Sequence, residues 1–156
     1  MAEHASNTLP WFDVAEETGA VVKYIELDEE GRMTLENVKK AVTENTKIIS
    51  LAIVTNVLGY EVPIKEITEY AHSKGIIVVA DGAQSVPHIV TDVVRDDVDF
   101  LAFSGHKMCG PTGVGVLYGK YELLEETKPT RFGGGSNSRY NSCGLVTLKE
   151  SPYKFE

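Results

Sequence analysis

The chain has 156 residues and a formal net charge of −8: enough length for one domain with a real core, but the wrong charge for nucleic acid, which needs clustered Lys and Arg. Apolar residues make up 42% and charged residues 24%. No apolar run is long enough to span a membrane, and Met1–His4 lacks the basic and apolar regions of a secretory signal.

Pro10 opens a short helix carrying Trp11, Phe12 and Val14, with Asn7 or Thr8 before it and Gly19 as its stop. Val21–Glu26 reads as a strand, and Asp28–Gly31 as a turn. Thr34 caps a helix from Leu35 to about Val42, with Leu35, Val38 and Val42 on one face. Lys47–Val54 is a near-continuous apolar run, the mark of a buried strand. Thr55-Asn56 starts a polar loop. Pro63 starts a helix through Lys74, with Ile64, Ile67 and Ala71 inward and Gly75 at its end. Further buried strands are predicted at Ile76–Ala80, Asp99–Phe103 and Val114–Tyr118, then a short helix at Tyr121–Glu126. From Gly133 the chain is rich in Gly, Ser and Asn, and little regular structure is expected there.

Buried strands alternating with amphipathic helices predict an α/β fold: three layers, a mostly parallel sheet with helices on both faces. Ligands in such sheets bind beyond the carboxyl ends of the strands. Asn56, Asp81 and Ser104-Gly105-His106-Lys107 each lie just past a predicted strand. Three polar segments therefore converge on one rim.

Lys107 sits among small residues, with Ser104 and Gly105 before it and Gly110 and Gly113 after it. A lysine there is reachable without being fully solvated. Asp81 ends an apolar run, where an unpaired carboxylate is costly. It can cap the Gly82-Ala83 turn, or hold a cationic ring nitrogen. A lysine amine beside such a carboxylate is what pyridoxal phosphate needs: the amine forms a Schiff base with the aldehyde, and the carboxylate keeps the ring nitrogen protonated. Gln84 can bond the phenolic oxygen. Ser104 and His106, with backbone N–H groups, can hold the phosphate. His72 and His88 read as structural. The four histidines and two cysteines are too scattered to suggest a metal site. Cys109 and Cys143, without short metal spacing, fit a reducing cytoplasm.

Four ordered segments carry a resemblance. They are Glu3-His4-Ala5-Ser6-Asn7 with Leu9-Pro10-Trp11, Thr55-Asn56-Val57-Leu58-Gly59, Val79-Ala80-Asp81-Gly82-Ala83-Gln84, and Ser104-Gly105-His106-Lys107-Met108 with Gly110-Pro111-Thr112-Gly113. Together they resemble the class V aminotransferase family, in its cysteine desulfurase and selenocysteine lyase branch. The resemblance implies that Lys107 holds the cofactor and shuttles protons. Asp81 would pair with the ring nitrogen, and His4 would stack on the ring and help move protons. Gln84 and Asn56 would bond the phenolic oxygen or the substrate carboxylate region, and Ser104 and His106 the phosphate. It implies a cysteine substrate, a homodimer and a sulfur-acceptor protein.

It also implies a central piece of a cofactor-binding domain over residues 1–132, with 133–156 leading toward a further domain. The sulfur-accepting cysteine and the substrate-binding arginine are then expected outside the chain. Cys109 is expected to pack rather than react. Selenocysteine lyase, another class V aminotransferase, or a non-catalytic α/β module with a vacant cofactor site are the alternatives. A nucleotide-binding domain is disfavoured, since neither the glycine fingerprint nor a P-loop occurs.

Overall fold

Four strands lie side by side in chain order: β1 (Ile48–Ala52), β2 (Ile77–Asp81), β3 (Phe100–Ser104) and β4 (Gly115–Gly119). β1 pairs parallel with β2, and β2 with β3. The computed structural model describes residues 2–155. Two compact units divide the chain, 1–118 and 119–156.

The first unit is built around one face of the sheet. Ile49 and Leu51 of β1 and Val78 and Ala80 of β2 are buried, as the two-residue period of a strand requires. Against them packs α3 (Ile64–Ser73), whose Ile64, Ile67, Thr68 and Ala71 are all buried. α2 (Leu35–Ala41) adds Val38, and Thr34 caps it by accepting the Asn37 N–H at 3.3 Å. On the other side, the 3₁₀ turn Ala5–Asn7, which leads into α1 (Leu9–Thr18), approaches β1 through Ser50, whose Oγ donates to Asn7 Oδ1 at 2.7 Å. Gly19 ends α1 in the left-handed region, φ 74°.

Two single turns that sequence periodicity cannot register join β2 to β3: α4 (Ser85–His88) and α5 (Val93–Asp96). Asp92 starts α5 by accepting the N–H groups of Val94 and Arg95. His72 is structural, as expected. Its Nε2 lies 2.9 Å from Asp99 and its Nδ1 3.1 Å from Asp97, tying the end of α3 to the start of β3.

Four expectations are corrected. The strand expected to be buried at Val114–Tyr118 forms as β4, but at the end of the strand order it is largely exposed, Leu117 at 61%. Residues 21–26 carry no strand ladder. A concavity of about 960 Å³, lined by Trp11, Tyr24, Ile25, Val42 and Ile48 among others, separates them from β1. The apolar segment is thus extended but unpaired in any ladder. The Gly/Ser/Asn-rich end is also not irregular. In the second unit, α6 (Tyr121–Glu126) is followed by an antiparallel pair, β5 (Asn137–Tyr140) and β6 (Val146–Leu148). Asn141 closes the hairpin by accepting the Cys143 and Leu145 N–H groups on its side chain. Cys109, finally, is exposed rather than packed.

Ile67 is fully buried in the core cluster, so Ile67→Ala is expected to cost ~2–5 kcal/mol through lost contacts and a residual cavity. Val94, 85% exposed, should tolerate alanine within about 0.5 kcal/mol. Chemical denaturation midpoints compare the two.

Candidate active site

Because β1, β2 and β3 run parallel, their carboxyl ends open on one rim. Ala52 of β1 stands opposite Asp81 of β2, and Asp81 opposite Ala102 of β3. The loops leaving these ends bring Asn56, Asp81, Ala83, Gln84 and Lys107 around one small cleft with Ala52 and Val54, and the N-terminal segment adds His4. Five of the seven candidate residues therefore meet there, from four segments of the chain.

Asp81 is half-buried, and its Oδ1 accepts the Ala83 N–H at 2.8 Å. The turn-capping role read from the sequence therefore uses one carboxylate oxygen. Gly82, between them, is tightly enclosed. A Cβ there would meet Leu101 at 2.7 Å and Val86 at 3.1 Å. Gln84 donates to Asn56 Oδ1 at 2.6 Å, bridging the loops after β1 and β2. Its own carbonyl accepts His88 Nδ1 at 2.8 Å, which gives His88 its structural task.

Lys107 is half-buried in a 3₁₀ turn, Gly105–Met108, directly after β3. The Gly110 N–H donates back to the Gly105 carbonyl at 2.9 Å, closing a tight loop around the lysine. Cys109 takes φ 63° to make that closure. A Cβ on Gly110 would sit 2.9 Å from the Gly105 oxygen, against rigid backbone. Ser104 and His106 flank Lys107 but do not line the cleft. Neither makes a side-chain hydrogen bond among the described residues, and they stand beside the lysine on the same loop.

His4 leads the 3₁₀ turn Ala5–Asn7 and caps it: its Nδ1 accepts the Ser6 N–H at 3.2 Å. A neutral ring bonded this way carries its proton on Nε2. Glu3, which sequence reasoning passed over, anchors the same segment. Its Oε1 accepts the Ala52 N–H at 3.0 Å and its Oε2 the Asn7 amide at 2.8 Å. Burial pushes the Glu3 carboxyl above the usual carboxylate range; those two hydrogen bonds oppose the rise, and the Asp81 charge adds to it. The one available signal was that Glu3 and Asn7 bracket His4 in a matching segment.

The donor set suits pyridoxal phosphate. An amine, a carboxylate with one oxygen still open, an imidazole and two amides converge without crossing a strand. As it stands the cleft encloses about 10 Å³, and His4 and Asn56 on its lining are exposed.

A lysine just past β3 and an aspartate ending β2 stand on adjacent parallel strand ends of an α/β sheet, with a histidine beside them. The aminotransferase class-V family matches residues 1–156, and the chain belongs to that family. A probable cysteine desulfurase of Halalkalibacterium halodurans is 50% identical over 99% of the chain. The chain spans 38% of that relative's length. The cysteine desulfurase CsdA of Escherichia coli, solved with an S-sulfonic acid, superposes with a TM-score of 0.95 at 40% identity, covering 99% of this chain and 39% of that one. SspA, solved in complex with cysteine, gives 0.77 at 31% identity, over 99% of this chain and 42% of that one.

Gly110→Ala is expected to destabilise the chain by ~1–3 kcal/mol, since backbone must move to admit the methyl group. Hydrogen exchange should show the loosening confined to residues 105–110. Gly134, where an added methyl group would meet nothing within 4 Å, should accept alanine within about 0.5 kcal/mol.

Proposed function

We propose that this chain forms the cofactor-binding core of a pyridoxal-phosphate-dependent cysteine desulfurase, which converts cysteine to alanine and passes the sulfur to an enzyme thiol as a persulfide. The observation that carries this reading is the meeting of Lys107, Asp81, His4, Gln84 and Asn56 at one cleft.

Pyridoxal phosphate bound there would supply an aldehyde for amines and a ring that draws electrons from the substrate α-carbon. Lys107 would hold the aldehyde carbon, and its Nζ would take up and return the α-proton. Asp81, steadied by Ala83 on Oδ1, would keep Oδ2 for the ring nitrogen. His4 would cover the ring face and hold a proton at Nε2. Gln84 and Asn56 would hold the phenolic oxygen or the substrate carboxylate region, with Ser104 and His106 on the phosphate. The tight 105–110 loop fixes the backbone from which Lys107 extends. Neither Cys109 nor Cys143 lines the cleft, so the sulfur-accepting thiol is assigned to neither.

The same reading places the protein in the cytoplasm, as a homodimer that hands sulfur to an acceptor protein. Two free, exposed cysteines suit a reducing compartment. Val116 and Leu117 of β4, 45% and 61% exposed, offer apolar surface to a second copy.

Titration of the purified chain with pyridoxal phosphate, followed by absorbance, tests the proposal. A saturable visible band is expected. It should be absent in Lys107→Ala, and borohydride should fix the cofactor on the Lys107 peptide. A folded chain with no such band would overturn the reading in favour of a non-catalytic α/β module. Cysteine added to the loaded chain should leave no persulfide on Cys109 or Cys143 by mass spectrometry.

A further inference from the structure

We propose that Glu3 is a positioning residue: it clips the His4 turn to the open edge of β1 and so holds His4 over the Asp81–Lys107 cleft. The inference rests on the reading of that cleft as a cofactor site.

β1 is the outermost strand of its sheet. Backbone N–H groups of a strand point alternately to its two sides. The Ile53 N–H goes inward to the Asp81 carbonyl at 3.0 Å, so the Ala52 N–H points outward, where no strand covers it. Ala52 is buried, 5% exposed, and an unmet donor there would carry the full desolvation penalty. Glu3 Oε1 meets it. Two residues earlier on the same strand, Ser50 Oγ donates to Asn7 Oδ1, and the Asn7 amide donates to Glu3 Oε2. The chain of contacts Ser50–Asn7–Glu3–Ala52 is closed at both ends on β1. It spans both ends of the 3₁₀ turn that His4 caps.

The placement is specific to the site. Ala52 is the direct ladder partner of Asp81, so the clip fixes His4 one strand away from the residue it must work beside. Ser6 then sets the orientation of the ring through Nδ1, leaving Nε2 pointing away from the turn. Glu3 sets where the imidazole is, and Ser6 sets how it faces. A carboxylate is suited to this because it accepts twice and donates nowhere. Glutamine can keep the same geometry if the Asn7 amide turns over, since the Ser50 hydroxyl can then accept instead of donate.

A double-mutant cycle separates positioning from general support. Cofactor affinity is read by absorbance titration. Glu3→Ala should weaken pyridoxal phosphate binding about tenfold, while Glu3→Gln should stay within about twofold. In a His4→Ala background, Glu3→Ala should add less than about twofold. Equal losses in both backgrounds would overturn the proposal. A second readout needs no cofactor. In the unloaded chain, Glu3→Ala should speed amide exchange at Ala52 about tenfold and move the His4 ring resonances, while Glu3→Gln restores both. Unchanged exchange and ring shifts would overturn the clip whatever the cofactor does. If the unsubstituted chain takes up no pyridoxal phosphate, the proposed function fails, and these two signals alone decide the clip.

Discussion

The structure depends on the parallel registry of three buried strands. Once β1, β2 and β3 are paired in one direction, their carboxyl ends must fall on one rim, and the loops that leave them must begin as neighbours. Side chains on one face supply the adhesion: Leu51, Val78 and Ala80 against Ile67 and Ala71. The chemistry-bearing residues stand just beyond that adhesion. Asp81 is itself the last residue of β2, so the packing of the valine and alanine before it decides where its carboxylate stands.

Around that frame, the cleft is held by backbone groups as much as by side chains. Ala83 N–H fixes one oxygen of Asp81, Ser6 N–H fixes the His4 ring, and Gly110 N–H closes the loop that carries Lys107. Such contacts cost little conformational entropy, because turn residues already hold the donors. They explain why small residues crowd the functional segments: Gly82 and Gly110 leave no room for a methyl group.

Much of this was legible in the sequence, and for identifiable reasons. α3 announced itself through Pro63 and the spacing of Ile64, Ile67 and Ala71. The strands at 48–52, 77–81 and 100–104 were near-continuous apolar runs of strand length, although only one face of them is fully buried. Asp81 and Lys107 stood out because each followed such a run. What was not legible depended on partners. Residues 21–26 are rich in β-branched and aromatic side chains as a strand is, yet composition cannot say whether a neighbour lies within ladder distance. The hairpin of β5 and β6 hid in a Ser- and Asn-rich composition that reads as loop until Asn141 is seen folding over its own turn. α4 and α5 are each one turn long, too short for any period to show. Glu3 was invisible because its meaning lies in an edge amide of β1, a property of the sheet and not of the segment.

The division of labour at Asp81 has an evolutionary side. One carboxylate oxygen builds the turn, and under the proposed function the other would meet a ring nitrogen. An asparagine could serve the first task with its Oδ1 and would present an amide, without charge, for the second. The codons for aspartate and asparagine differ by one base. A lineage could therefore abandon the chemistry in a single step while keeping the turn, the strand and the core intact. Under the proposed function, a relative with asparagine at this position would keep the fold and lose the charge, one substitution away from the aspartate-bearing form.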